Sequence, residues 1–344
     1  MHAISIIIPS YNNGSWLPST ISHLTKALQA AQITDYEIIV VNDGSTDNTS
    51  QLLADIARDD AHLVVINQEN KGRFLSRKVG IQKASKEYVL FLDSRIDIDE
   101  GSFKYVKEQM ARDPKLIAWN GHVRIKLGWN VFARFWDTVT FIAWRRYLRR
   151  PKLTQFGLED FDYYPKGTGF FLAPRKLLEK HIDAFKSNIE DMKFVSDDTA
   201  LLRGVAEEVK ITIAPEFSCL YYSRDRLKPF IKHTLNRGTF FVDGFLQPGN
   251  RYFILLLGFL AATPIGIVLL ILWPTLILSV LGIMWVMGLL AALVLGTPPA
   301  SALSFWLLSP LFAVLYGIGI WRGVLMIVLQ KLSGKGSTGK KAAS

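Results

Sequence analysis

From Arg251 to Ser344 the chain has no Asp or Glu, and this acid-free stretch constrains the fold more than any other feature. Within it, Tyr252–Leu272 and Thr275–Leu295 each run 21 residues without a charge, enough for a helix to cross a bilayer. Trp273-Pro274 makes a very short break between them. A third apolar stretch, Leu303–Leu329, contains Pro310 and Arg322 and reads either as one tilted span or as a span followed by an interfacial helix. All 30 acids and 34 of the 40 lysines and arginines lie before Arg251, so the formal charge of +10 divides into +4 for the preceding part and +6 in or beside the tail. A membrane surface is therefore a more economical partner than nucleic acid.

This division predicts a globular domain over 1–230, a membrane region of two or three spans over 231–330, and a disordered basic tail over 331–344. The expected location is the cell membrane, multi-pass, with the globular domain on the cytoplasmic face. The positive-inside rule would keep Lys331, Lys335, Lys340 and Lys341 cytoplasmic, whereas three full spans place them outside. A single cysteine, Cys219, forbids an internal disulfide and any multi-cysteine zinc site, and it fits a reducing compartment. The opening MHAISIIIPS has too short an apolar run and no basic n-region for a signal peptide, and reads as a buried strand.

Between residues 3 and 123, short β-branched runs alternate with helix-period segments. Ile4–Pro9, Tyr36–Asn42, His62–Asn67, Tyr88–Asp93 and Leu116–Val123 are nearly continuous in apolar residues, which suits strands buried on both faces of a parallel sheet. Leu17, Ile21, Leu24 and Leu28 fall at helical spacing, as do Leu52, Leu53 and Ile56, then Phe103, Val106 and Met110. Asp47 or Thr46 is placed to cap the second helix. The order βαβαβ predicts an α/β doubly wound, mostly parallel sheet with ligands at the carboxyl ends of its strands, followed by an α-helical membrane region. Residues 124–152 mix Phe132, Phe135, Trp136, Trp144 and Tyr147 with Arg134, Arg145, Arg146, Arg149 and Arg150. The segment reads either as an interfacial amphipathic helix or as a core-facing helix with a solvated basic face.

Two acids end successive apolar strands: Asp43 after Glu37-Ile-Ile-Val-Val-Asn, and Asp93 after Tyr88-Val-Leu-Phe-Leu. A carboxylate there can accept from a nucleobase N–H or hold a cation that bridges phosphates. Either acid alone reads as a turn residue; two at successive strand ends do not. With Ile7-Ile-Pro-Ser-Tyr-Asn12, Val41-Asn-Asp-Gly-Ser-Thr-Asp47, Asn70-Lys-Gly72, Ser76-Arg-Lys-Val-Gly80, Phe91-Leu-Asp-Ser94 and Ser196-Asp-Asp-Thr-Ala-Leu-Leu-Arg203, residues 3–225 resemble the inverting family 2 glycosyltransferases, which have a GT-A nucleotide-sugar (Rossmann-like) fold.

The resemblance implies that Pro9, Tyr11, Asn12 and Asp43 line the base and ribose pocket and that Arg77 lies near the base or phosphates. It makes Asp93, followed by Ser94, the first acid of the metal motif that grips Mg2+ or Mn2+ across the donor diphosphate. Arg95 stands where the family's second Asp would be. Either Asp93 holds the metal with waters and phosphates, or Arg95 itself neutralises the diphosphate. Asp97 is a weaker metal candidate, expected with Asp99 in the following loop and helix start. Asp198 matches the general base, and Asp197 reads equally as a helix N-terminal acid. Gly167, Thr168 and Gly169 match the acceptor-side small-residue segment, and Arg237 is placed to meet diphosphate or lipid phosphate. His122, His181 and His233 have no metal-ligand spacing. The Gln-x-x-Arg-Trp signature of processive synthases is absent.

The implied activity is transfer of one sugar from a nucleotide-diphosphate donor, a UDP-sugar favoured, to a hydroxyl of a lipid-linked saccharide or glycolipid in cell-envelope glycan synthesis. Two other readings stand beside it: a polyprenyl-phosphate acceptor, as in dolichol-phosphate-sugar synthases, and a degenerate, non-catalytic nucleotide-sugar-binding membrane protein.

Overall fold

The computed structural model describes residues 1, 3–246 and 252–333. Most of the expected basic tail, from residue 334 on, lies outside the described residues. The chain forms two compact units, one of 1–126, 143–186 and 197–223, the other of 127–142, 187–196 and 224–344.

The first unit holds a nine-stranded sheet. Its elements begin β1 (Ala3–Ser10), α1 (Leu17–Ala30), β2 (Asp35–Asp43), α2 (Thr49–Asp59), β3 (Leu63–Gln68), α3 (Arg73–Lys83), β4 (Tyr88–Leu92), β5 (Ile96–Ile98), α4 (Ser102–Arg112) and β6 (Ala118–Ile125). After α5 (Val131–Ala143) come α6 (Arg145–Leu148), β7 (Thr154–Phe156), β8 (Phe170–Pro174), α7 (Arg175–Asp183), α8 (Asp197–Glu208) and β9 (Ile211–Tyr221). The strand order is β3-β2-β1-β4-β8-β6-β9-β5, with β7 on β9. β1 lies parallel between β2 and β4, pairing Ile6 with both Ile38 and Leu90. These strands are apolar throughout because both faces are covered; Ile6, Ile38 and Leu90 are fully buried.

Two sequence expectations are corrected. The strand expected over Leu116–Val123 does not continue the parallel run: β8 inserts between β4 and β6 and runs antiparallel to both. Asp97 lies not in a loop but in β5, antiparallel to β9, with Ile96 and Ile98 buried on either side of it. Three residues are too short a run for period-2 alternation to be read from sequence.

The chain winds from β1 outward to β3, then returns to place β4 on the other side of β1. The carboxyl ends of β1 and β4 are thus a topological switch point, where diverging connections leave a crevice.

The second unit comprises α5, the segment 187–196, α9 (Leu227–Phe245), α10 (Phe253–Leu272), α11 (Pro274–Val294) and α12 (Pro299–Leu332). The last three helices are each long and apolar enough to cross a membrane. Only Leu256 of α10 and Ala292 of α11 are buried, so both helices present apolar surface nearly all round, as lipid-facing helices do. The third apolar stretch is one continuous helix of 34 residues through Pro310. At 1.5 Å per residue it runs about 50 Å, against about 30 Å of hydrocarbon.

Glycines bring α12 against α9. A Cβ on Gly238 would stand 2.3 Å from the Tyr316 carbonyl oxygen, and one on Gly319 would stand 2.2 Å from that of Leu235. Thr239 Oγ1 donates to the Gly319 carbonyl at 3.1 Å, a close backbone crossing of the small-residue kind. Asp243 of α9 is 4% exposed, and its carboxylate accepts from Ser187 Oγ, Asn188 N–H and Ser196 N–H at 2.7, 2.9 and 2.6 Å. One buried acid thereby orders the strap 187–196 that leads to the Asp197-Asp198 motif.

The mixed segment 124–152 is split between the two units, 127–142 in the second and the rest in the first. In α5, Phe135 is fully buried among Phe230, Phe305 and Phe312 of α9 and α12. The aromatics form core, and the arginines of 145–150 remain exposed.

Candidate active site

Four loops meet where β1, β2, β4 and β8 end or begin. After β1, Asn12 adopts φ +53, a left-handed conformation that Asn tolerates. Its Oδ1 accepts from Thr46 N–H at 2.7 Å and Asp47 N–H at 3.3 Å, while its own N–H donates to Ser45 Oγ at 3.0 Å. Asn13 Nδ2 donates to Ser94 Oγ at 2.9 Å, stitching the β1 loop to the β4 loop across the switch point. Pro9 is half-buried at the end of β1, and Tyr11 stands 43% exposed beside it.

Asp43 closes β2 at 4% exposure. Its Oδ1 accepts from Gln68 Nε2 at 2.6 Å and Lys71 N–H at 2.8 Å, and its Oδ2 accepts from Gly72 N–H at 2.8 Å. The carboxylate fixes the loop that opens α3, and Oδ2 keeps an acceptor site for a further donor. Gly44 next to it has φ +69, and a Cβ there would lie 2.6 Å from the Asn70 amide nitrogen. Only glycine permits this approach of the two loops.

Asp93 follows β4. Its N–H donates to the Gly169 carbonyl at 2.8 Å, and its carboxyl is 43% exposed. Arg77 of α3, with only 3% of its side chain exposed, donates through Nη2 to Asp93 Oδ1 at 2.9 Å and brings Nη1 within 3.8 Å of Asp198 Oδ1. Arg73 places Nη2 3.8 Å from Asp198 Oδ2. Thr168 is fully buried and donates its Oγ1 hydrogen to Asp198 Oδ1, with its N–H 3.4 Å from the same oxygen. Asp93 and Asp198, some hundred positions apart in sequence, therefore flank one guanidinium. Gly169 lies so close that a Cβ would stand 2.8 Å from Asp93 Oδ2, and Gly167 N–H donates to Asn120 Oδ1 at 3.0 Å.

The other sequence candidates have the following surroundings. Arg95 turns its guanidinium over the Trp16 ring at 5.0 Å and donates to the Ser223 carbonyl at 3.1 Å. Asp97 is 5% exposed and accepts from Ser19 Oγ at 3.0 Å and Tyr222 O–H at 2.9 Å. Arg237 belongs to the second unit, its guanidinium 5.4 Å from the Trp136 ring. Asp197 opens α8. His181 pairs with Glu208 at 2.7 Å. Sequence reasoning missed Arg73, although it stands one helical turn before Arg77 and hence on the same face of α3.

Lys166, preceding the small-residue segment, was also missed. Its Nζ donates to the Phe161 carbonyl and lies 3.8 Å from Asp162, with 11% of the side chain exposed. Burial pushes its ammonium down to about 8 from 10.5, opposed by Asp162 and aided by Arg203. Because the folded pKa is the lower one, the unfolded chain binds more protons between these values, and folding stability rises with pH across that window. The unfolding midpoint of the wild type minus that of Lys166→Met should therefore increase between pH 8 and 10; the change corresponds to at most about 3 kcal/mol. A pH-independent difference would contradict this burial.

A mixed α/β sheet with acids at the carboxyl ends of β2 and β4, and a third acid gathered to them by Arg77, is an architecture of the nucleotide-sugar transferase class. The pattern that defines Glycosyl transferase family 2 matches residues 5–182, over half of the chain; the chain belongs to this family and is a glycosyltransferase. It is 33% identical over 126 residues to poly-beta-1,6-N-acetyl-D-glucosamine synthase of Staphylococcus aureus (strain COL), covering 37% of this chain and 30% of that protein. Its identity to the Staphylococcus epidermidis synthase is 32% over 126 residues, again covering 37% and 30%. The matched part thus spans less than a third of these curated relatives. Among solved structures it resembles S. aureus TarS 1-349 in complex with UDP-GlcNAc, with TM-score 0.47 and 16% identity over 70% of this chain and 66% of that one. It also resembles the mannosyltransferase PcManGT from Pyrobaculum calidifontis in complex with GDP-Man and Mn2+, with TM-score 0.48 and 17% identity over 96% and 87%.

Proposed function

We propose that the protein is a membrane-anchored, inverting enzyme that moves one sugar from a nucleotide-diphosphate donor, a UDP-sugar favoured, to a hydroxyl of a lipid-linked saccharide. The observation that carries this reading is the placement of Asp93 and Asp198 on either side of Arg77. An inverting displacement needs positive charge at the leaving diphosphate and a carboxylate where the acceptor oxygen attacks, and this arrangement provides both within one cluster.

Asp198 takes the acceptor hydroxyl proton, and Thr168 fixes its Oδ1. Arg77 orients both carboxylates. Asp43, Tyr11 and Asn12 receive the base and ribose, Pro9 shapes the floor of that pocket, and Ser94 holds the β4 loop in place through Asn13.

Among the described residues no group of three or more His, Cys, Asp or Glu side chains is gathered as a cation cage. A Mg2+ or Mn2+ on a diphosphate needs only one or two carboxylates, and the partly exposed Asp93, with Oδ2 beside Gly169, fits that mode. Such an ion, when bound, stabilises charge on the leaving diphosphate. Arg95 is turned toward Ser223 and Trp16, which favours Asp93 over Arg95 for this role. Lys228, Lys232 and Arg237 precede the first span and favour a cytoplasmic first unit.

One observation favours a second reading. Arg73 and Arg77 both stand 3.8 Å from Asp198, and two guanidinium groups also suit an anionic acceptor such as a polyprenyl phosphate. The deciding experiment incubates the full chain with radiolabelled nucleotide sugars and native membrane lipids, then identifies the labelled product. A lipid-linked saccharide longer by one sugar is the expected result. Label on a mild-acid-labile sugar phosphate would establish the second reading, and a long polymer would overturn single-sugar transfer.

A further inference from the structure

We propose that the recess formed by Arg145, Arg146, Arg149 and Arg150 docks the phosphate of an anionic phospholipid headgroup. Four arginines line a recess of about 520 Å³ in the first unit. Arg145 with Arg149, and Arg146 with Arg150, stand four positions apart, where like charges on a helical turn repel. Among the described residues only Arg146 has an acidic partner, Asp160 at 2.7 Å. The other three arginines are exposed and make no ion pair among the described residues, so the cluster keeps an excess of positive charge there.

The platform beneath the cluster is a buried ring contact. Tyr147 is 2% exposed, its ring 5.7 Å from His122 and 6.2 Å from Tyr164. Arg146 lies over the Tyr163 and Tyr164 rings at 5.4 and 5.6 Å. A turn pinned by a buried ring, carrying a self-repelling quartet, is built for an anion, and guanidinium forks match phosphate oxygens in pairs.

The chain itself points to lipid as the source of that phosphate. Arg145 lies two residues after the end of α5, and α5 packs Phe135 against Phe305 and Phe312 of the long apolar helix α12. The cluster therefore belongs to a chain held permanently at a bilayer. All four arginines are exposed, which suits a surface dense in phosphates better than one enclosed soluble ligand. The inference does not depend on which acceptor the enzyme uses.

The test is native mass spectrometry of the full chain in detergent, titrated with phosphatidylglycerol or phosphatidylcholine, for the wild type and Arg149→Gln/Arg150→Gln. Loss of about fivefold in affinity per arginine predicts roughly 25-fold weaker phosphatidylglycerol adducts in the double variant, with phosphatidylcholine unchanged. Unaltered donor hydrolysis and unfolding temperature would show that the fold is intact; should the pair fail to fold, Arg150→Gln alone is read, with about fivefold expected. Equal phosphatidylglycerol binding in wild type and variant would overturn the proposal. So would displacement of phosphatidylglycerol by inorganic phosphate at similar concentration, since the site would then take free phosphate.

Discussion

Asp198→Asn is expected to slow transfer to a saccharide hydroxyl by about 10²–10⁴-fold, the range supplied by a positioned general base, with donor affinity retained. The substitution preserves shape and removes the proton acceptor. Asp198 opens onto solvent with 37% of its carboxylate exposed, and it is held by Thr168 and flanked by Arg73 and Arg77. An amide in its place can still meet Thr168 Oγ1, so the surrounding loop should keep its course. Donor binding by titration calorimetry and transfer by product counting separate the two effects. A near-normal transfer rate would mean that the acceptor oxygen arrives already ionised, as a phosphate does, and would move the reading to the polyprenyl-phosphate acceptor. Thr168→Val supplies a graded control. Losing a hydrogen bond to a charged group is worth about 1.5–3 kcal/mol where the partner is buried, so a smaller loss than that of Asp198→Asn is expected.

The strand-end acids were legible because a strand buried on both faces has a one-dimensional signature: Ile38–Val41 and Val89–Leu92 are unbroken apolar runs, and the first polar residues after them, Asn42-Asp43 and Asp93, mark where the sheet ends. The long apolar helices were legible for the same reason, since each is a local run. What sequence could not supply was pairing over distance. Nothing in Ser76-Arg77-Lys78 says that Arg77 bridges Asp93 to Asp198, because that contact is made by Arg77 reaching the end of β4 from α3, which packs on β1 and β2, while α8 returns from a hundred residues further on. Arg95 stands by sequence where a second metal-motif acid would be, and only the structure shows its side chain lying against Trp16 and Ser223. The pattern of 124–152 left two readings open, because Phe135 and Arg149 share a helical pattern in sequence but fall in different units. Local periodicity reports that a face is apolar, not what will cover it.

Arg77→Met is expected to weaken both donor binding and transfer, and excess Mn2+ should restore donor binding more than transfer. The side chain is 3% exposed and within 3.8 Å of two carboxylates. Its removal leaves Asp93 and Asp198 facing each other without the intervening cation. Breaking a fully buried pair from one side costs about 3–5 kcal/mol. Here the carboxylates are 43% and 37% exposed, so solvent screening reduces the cost to about 1–3 kcal/mol. A divalent ion at Asp93 resupplies charge next to the diphosphate but cannot orient Asp198, hence the unequal rescue. Arg77→Lys should behave like Arg77→Met in transfer, since one ammonium cannot address both acids in the two directions a guanidinium fork reaches. Measuring donor affinity and transfer rate against Mn2+ concentration for the two variants checks the argument. Equal rescue of both quantities by metal, or full transfer in Arg77→Lys, would show that Arg77 contributes charge alone and that the geometry of the two carboxylates is set elsewhere.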